Sequence, residues 1–494
     1  MDQRDVEPSH LETLDRDLGR VSSLELATAY VAKPLVAPAL AIIFMILVGI
    51  IAATTMSALN NALVIVIAAV LGAYMALNIG ANDVANNMGP AVGANALTMA
   101  GAIAIAVVFE SAGAIIAGGD VVSTIAKGII APTTMQSADV FIWAMMAALL
   151  SAALWVNLAT WVGAPVSTTH SVVGGVMGAG IAAAGFSAVN WGTMSKIAAS
   201  WVISPVLGGV IAAAFLWFIK TRIIYKEDKI SAAKKWVPVL VGIMAGAFAS
   251  YLALKGLKKV IKIDLQTAII VGLSFGLIIW AVTKPIIARQ SAGMENRNKS
   301  LKKLFNIPLI VSAALLSFAH GANDVANAVG PLAAIFQASS SGEYTAAISI
   351  PLWVMIIGAA GISFGLFLFG PKLIHVVGNQ ITKLNQMRAY CVALSAAITV
   401  IVASWLGLPV SSTHIAVGAV FGVGFFREWD TAKRMRSANL IEVELPRLAK
   451  EERKRRKLVR RSHFMSIIAA WIITVPSAAV ISGVIFSMIS FAAG

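Results

Sequence analysis

Gly80-Ala81-Asn82-Asp83-Val84-Ala85-Asn86-Asn87-Met88-Gly89-Pro90 closes a long apolar stretch. Nearly the same wording returns as Gly321-Ala322-Asn323-Asp324-Val325-Ala326-Asn327-Ala328-Val329-Gly330-Pro331. Asp and Asn are costly to place in hydrocarbon; an ionisable residue at the centre of a membrane helix costs about 2.5 kcal/mol or more on insertion scales. Two such placements in one chain ask for a function.

Composition sets the class around this motif. Hydrophobic residues make up 59% of the 494 positions and charged residues 12%, against about 25% charged in soluble proteins. The mean hydropathy is +0.84. These values describe an all-α polytopic membrane protein, and the length allows about a dozen spans of ~20 residues. Apolar spans are expected near 37–56, 61–80, 97–118, 138–161, 197–220, 236–256, 266–288, 307–326, 348–370, 388–406 and 464–490. Two further Gly-broken stretches lie near 165–185 and 409–426. Residues 1–34 read as a cytoplasmic polar tail without the basic lead and apolar core of a signal peptide. Cys391 stands alone, which excludes a disulfide framework and a Cys-based metal site.

The net charge of +15 reports orientation rather than nucleic-acid binding. It is concentrated in loops 222–235, 289–303 and 427–461, the last carrying Arg453-Lys454-Arg455-Arg456-Lys457. The positive-inside rule puts all three in the cytoplasm. Lys255, Lys258, Lys259 and Lys262 fall on the outer side in this scheme and oppose it, outvoted by the three longer loops. With both Gly-broken stretches crossing, the count is thirteen, the N-terminus inside.

A second motif is duplicated as well. Ala164-Pro165-Val166-Ser167-Thr168-Thr169-His170 returns as Leu408-Pro409-Val410-Ser411-Ser412-Thr413-His414. From Gly80 to Pro165 is 85 positions and from Gly321 to Pro409 is 88. Two motifs at near-equal separation indicate internal duplication. The loop count makes the halves inverted, with broken helices or half-helix hairpins and about 12–13 transmembrane segments. The expected organisation is the tail 1–34, an extra N-terminal span 35–60, a first inverted repeat 61–222, linking helices and cytoplasmic loops 223–303, and a second inverted repeat 304–494. Inverted repeats of transporters hold their substrate near the midplane, where the halves meet.

The residue types suggest what is held. If helical, Asn82, Asp83 and Asn86 share a face of one carboxylate and two amide carbonyls, an oxygen set suited to a hard cation where a helix unwinds. Gly80, Gly89 and Pro90 permit such unwinding. The Pro-Val-Ser clusters read as helix starts, whose free N–H groups suit an anion. Bare, ionised Asp83 and Asp324 would repel phosphate or sulfate; a cation between, or a proton on them, removes the repulsion and couples the two uptakes. Glu110, Ser123 and Thr124 are candidate pathway residues. His170 and His414 read as packing or hydrogen-bonding residues, since no metal-ligand set accompanies them.

On these paired motifs the chain, over about residues 61–494, resembles the inorganic phosphate transporter family. The resemblance implies phosphate uptake driven by Na+ or H+, with no cofactor beyond the coupling cation and no catalytic residue. It implies phosphate ligands at Asn82, Asp83, Ser167, Thr168, Thr169, Asn323, Asp324, Ser411, Ser412 and Thr413. Cation coupling would fall to Asp83, Asn86, Asp324 and Asn327. The expected setting is a plasma (inner) membrane protein contacting lipids, with a homodimer as the family's tendency. A sulfate or other oxyanion permease of the same fold is the alternative. An intramembrane hydrolase using Ser167 or Ser411 with a His is a third reading, disfavoured because a catalytic centre rarely needs both copies.

Overall fold

The computed structural model describes residues 35–57, 61–162, 166–256, 263–341, 350–376, 384–437 and 461–493. The chain forms two compact units, Met1–Leu47 and Val48–Gly494. In the first, the described part is the start of helix α1, Leu35–Thr55. The tail 1–34, Pro165, the lysines at 258, 259 and 262 and the basic cluster Arg453–Lys457 lie outside the described residues.

Regular structure among the described residues is helical apart from one antiparallel bridge between Ile130 and Val189. The longer helices after α1 are α2 (Ala62–Asn82), α3 (Val84–Gly93), α4 (Met99–Ala117) and, after a short α5 (Gly119–Ser123), α6 (Ala138–Val162) and α7 (Thr168–Ala184). Then come α8 (Trp191–Ile219), α9 (Lys229–Lys255), α10 (Leu265–Gln290), α11 (Asn298–Leu304), α12 (Asn306–Asp324) and α13 (Ala326–Ser341). The chain ends with α14 (Leu352–Val376), α15 (Gln386–Trp405), α16 (Ser412–Ser437) and α17 (Arg461–Ala493). Among the described residues, eleven helical stretches are long and apolar enough to cross a membrane, with α2–α3 and α12–α13 each counted as one. Side chains such as Leu273, Leu277, Ile278 and Val282 on α10 stand more than half exposed. Only hydrocarbon solvent suits so many bare apolar side chains. This is a multi-pass membrane protein.

The two broken helices run in opposite directions. Asn61, at the start of α2, donates to the Ser339 carbonyl near the end of α13 (3.4 Å). At the other end of α2–α3, the Ala94 carbonyl accepts from Gln386 at the start of α15 (2.8 Å). There Phe305, at the start of α12, packs on Tyr390 of α15 with ring centroids 5.7 Å apart. Hence α12 begins where α3 ends, and α13 ends where α2 begins.

Each broken helix carries a hairpin alongside. α6 runs with α2, Asn157 meeting Asn78 and Thr160 meeting Asn82. α7 then returns, and Ala131 donates to Ala188 (2.8 Å) at the hairpin base. α15 runs with α12 in the same way, Ser404 meeting Asn323, and α16 folds back along α15. The two hairpins therefore enter from opposite faces and meet tip to tip: Thr169 of one donates to the Val410 carbonyl of the other (3.0 Å). An in-and-out hairpin returns the chain to its starting face just as two crossings do. The parity deduced from loop charge is thus kept, while α7 (17 residues) and the charged α16 are not themselves full-length apolar spans.

The basic loops converge at one face. Asn296 donates to Glu227 (2.6 Å) and accepts from Lys229 N (2.9 Å), tying loop 289–303 to loop 222–235. Lys220 pairs with Asp430 of α16 (2.6 Å). On the opposing loop, Lys255 pairs with Asp120.

Candidate functional site

The motif glycines fix how deeply the broken helices sit. A Cβ on Gly80 would overlap the carbonyl of Ile362 in α14, and one on Gly321 the carbonyl of Glu110 in α4. The helices then break one turn later, at Asp83 and at Val325. Pro90 has no N–H to offer the Asn86 carbonyl four residues back, nor Pro331 to Asn327, so the ladder stays weakened just past each break.

The hairpin tips deliver hydroxyls to these breaks. Thr168 donates to Asp83 Oδ2 (2.6 Å) and Thr413 to Asp83 Oδ1 (3.1 Å). Ser412 donates to Asp324 Oδ2 (2.8 Å), and Thr169 reaches Asp324 Oδ1 (3.4 Å). Each aspartate thus receives one hydroxyl from each hairpin. Asn86 donates to Thr413 (2.9 Å) and Asn327 to Thr169 (3.1 Å). Asn82 and Asn323 hold the hairpin stems instead, through Thr160 (2.9 Å) and Ser404 (2.9 Å). Asn323 also binds the second tip, to the Leu408 carbonyl and from Val410 N. Every one of these motif side chains is buried.

Ser167 and Ser411 serve differently. Their hydroxyls accept the backbone N–H of His170 (3.1 Å) and His414 (3.3 Å). They cap α7 and α16, whose positive N-terminal ends thereby lie at the centre. His170 and His414 meet edge-on, centroids 4.4 Å apart; His414 stacks on Trp471, and His170 packs against Trp201 at a tilt of 45°. Of the candidate pathway residues, Glu110 lies one layer out from Asp324, with His320 between them. Thr124 bonds the Gly407 carbonyl behind the second tip (2.7 Å), and Ser123 bonds Asp120 of its own turn (2.7 Å).

Four participants are not singled out by the sequence. His320, one helical turn before Asp324, places Nε2 2.7 Å from Asp324 Oδ2 and Nδ1 3.1 Å from Glu110 Oε1. Asn87 donates to Glu110 Oε1 (3.0 Å). The stem residues Thr160 and Ser404 are the other two. His320 was findable as a polar residue on the motif face of an otherwise apolar run; the duplication hid it, because the first copy has Ile79 there. Ligand atoms of Asp83, His320 and Asp324 all lie within 4.8 Å of one another. Buried Asn82 Oδ1 and Asn327 Oδ1 have no donor. Buried oxygens without donors, beside carboxylates, are what a cation would complete.

Opposed hairpins and antiparallel broken helices around one buried polar centre define a membrane carrier for small ions. Residues 79–482 match the Phosphate transporter family. A protein of Helicobacter pylori strain J99 described as "Putative phosphate permease" is 47% identical, over 96% of this chain and 99% of its own. A similarly described protein of Pyrococcus abyssi is 35% identical, over 85% and 96%. Among solved structures, one described as "The sodium-dependent phosphate transporter" superposes with a TM-score of 0.77 at 34% identity, over 87% of this chain and 99% of that one. The chain belongs to the Phosphate transporter family, whose members are transporters and not enzymes, and the hydrolase reading is dropped.

Proposed function

We propose that this chain takes up inorganic phosphate by symport with a cation, Na+ before H+, across the plasma (inner) membrane, with its basic loops and N-terminus in the cytoplasm. One observation carries the reading: two buried aspartates, each gripped by a hydroxyl from both hairpins. Phosphate arriving beside two bare carboxylates would meet repulsion in a low-dielectric centre. A cation on Asp83 with Asn86, or on Asp324 with Asn327, cancels that charge. It also releases Thr168, Thr169, Ser412 and Thr413 to turn toward the anion, beside the N-terminal ends of α7 and α16. Cation and anion then bind together or not at all. The sodium-dependent structural relative supports Na+ as the partner. Hairpins entering from opposite faces supply the alternation: parting one tip opens the centre to one side while the other stays closed.

The deciding experiment is phosphate uptake into proteoliposomes, with Na+ and pH gradients imposed separately and sulfate as competitor. Uptake driven by the Na+ gradient, resistant to excess sulfate and lost in Asp83→Asn, is expected. Suppression by sulfate would make the chain a broader oxyanion permease. Uptake indifferent to either gradient would end the symport reading.

A further inference from the structure

Where α8 crosses α16, glycines bring the two backbones together. A Cβ on Gly418 would overlap the Pro205 carbonyl, and one on Gly422 the carbonyl of Gly209. With so thin a floor, the larger side chains stand apart as walls, Val206 and Val210 on α8 and Phe421 and Phe425 on α16. Between them lies a groove of about 720 Å³, with Trp201 and Trp471 toward one end and Trp429 toward the other. Val206 is 62% exposed, Val210 61% and Phe425 45%. The groove therefore opens sideways, to the hydrocarbon that surrounds the protein.

The groove runs the depth of one leaflet. Its inner end lies behind the hairpin tips, where Trp201 packs on His170 and Trp471 stacks on His414. From Val417 to Trp429, α16 rises ~18 Å toward the face of the basic loops, against ~15 Å for half of the hydrocarbon core. At that outer end the chemistry changes. Lys433 lies over the Trp429 ring (5.1 Å). Lys220 lies over the Phe426 ring (5.4 Å) and pairs with Asp430 (2.6 Å). Arg434 covers the Tyr225 ring (3.1 Å). With Arg427, these bases outnumber the acidic residues of the same stretch of α16, Glu428 and Asp430. Trp beside Lys is the composition of a headgroup level.

We propose that this groove binds one anionic phospholipid from the leaflet on the basic-loop side. An acyl chain follows the walls from Trp429 to the Trp201–Trp471 pair, and the headgroup phosphate rests among Lys220, Lys433 and Arg434. Moving a chain from the bilayer into the groove gains little, because lipid tails are as apolar as the walls. Selection falls to the headgroup, where each nearby Lys or Arg favours an anionic lipid. A second copy of this chain fits the face less well, since two-fold packing would set one cluster of bases against another. Seated to full depth, the chain touches Trp201, whose Nε1 donates to the Pro409 carbonyl of the second tip (3.1 Å). The lipid thus braces that tip from outside the ion centre.

The test is native mass spectrometry of the purified full chain, delipidated in detergent and titrated with phosphatidylglycerol or phosphatidylcholine of equal chain length. Wild type is expected to retain phosphatidylglycerol with about tenfold preference. Val206→Trp puts an indole into the groove and should retain one phosphatidylglycerol fewer per chain. Lys433→Gln/Arg434→Gln leaves the groove open and should lose most of the preference. Phosphatidylglycerol should also raise the thermal midpoint of wild type more than that of Val206→Trp. Equal retention of the two lipids by wild type, or an undiminished phosphatidylglycerol count in Val206→Trp, would overturn the site. If Val206→Trp yields no monodisperse protein, the double variant decides, and an unchanged preference there would overturn the site. Wild-type dimers that carry no lipid would give the face to a second copy and overturn it as well.

Discussion

The two halves of the centre agree in their hydroxyls and differ in their charges. Around Asp83 the partners are Thr168 and Thr413, with Ile79 and Ile362 behind. Around Asp324 they are Ser412 and Thr169, with His320, Glu110 and Asn87 behind. The hydroxyl pattern is shared because each tip serves both breaks. The charged group lies one layer out, behind Asp324. The cradle of hydroxyls is symmetric, and His320, Glu110 and Asn87 make its two sides chemically unequal.

The sharpest way to break this comparison is to remove each aspartate. Asp83→Asn and Asp324→Asn are each expected to lower Na+-driven phosphate uptake by about 100-fold or more, the scale of losing a buried charged partner. Retained uptake in either, in proteoliposomes of equal protein content, would mean that half is dispensable. Next come the glycines. Gly80→Ala and Gly321→Ala each press a methyl into a carbonyl of the neighbouring helix, an overpacking costing roughly 1–3 kcal/mol. Both should lower the thermal midpoint in detergent; an unmoved midpoint at one would show that its neighbouring helix yields. The cross-tip hydroxyls are expected to matter less. Thr169→Val and Thr413→Val each remove one hydroxyl bond to the opposite half's aspartate, with an expected ~10-fold rise in the phosphate concentration for half-maximal uptake. Equal effects would confirm the symmetry of the tips.

The smallest effect tests a contact outside the centre. Partial burial pushes Asp430 up, but contacts from Lys220, Tyr225 and Arg434 outweigh it and hold the carboxyl below its usual range. A depressed carboxylate stabilises the fold above its ordinary pKa of about 4 and loses that contribution as pH falls through its folded value. Asp430→Asn should therefore destabilise by about 1 kcal/mol at pH 7. The gap from wild type should close below about pH 4, and a thermal-midpoint series against pH checks it.

Much of the centre was legible because its residues violate local expectation. Asn82, Asp83, Asn86 and their repeats are polar in an apolar run, and Ser167 and Ser411 carry a capping signature; no fold is needed to notice either. The crossing count was less legible. Thr168–Ala184 and Ser412–Ser437 differ in length and polarity, and neither reveals where its tip stops. His320 was masked by the same duplication that exposed Asp324.

The sequence by itself determined the membrane solvent, the duplication, the polar motif residues and the side on which the basic loops gather. Composition and spacing carry these without any contact being known. Tertiary structure alone decided that each hairpin serves both aspartates and that Glu110, Asn87 and His320 join one half only. The reason is separation: Asp83 meets Thr413 across 330 positions, and Glu110 meets His320 across 210. Such pairings exist only once antiparallel helices bring the two repeats face to face, and no local pattern of residues encodes them.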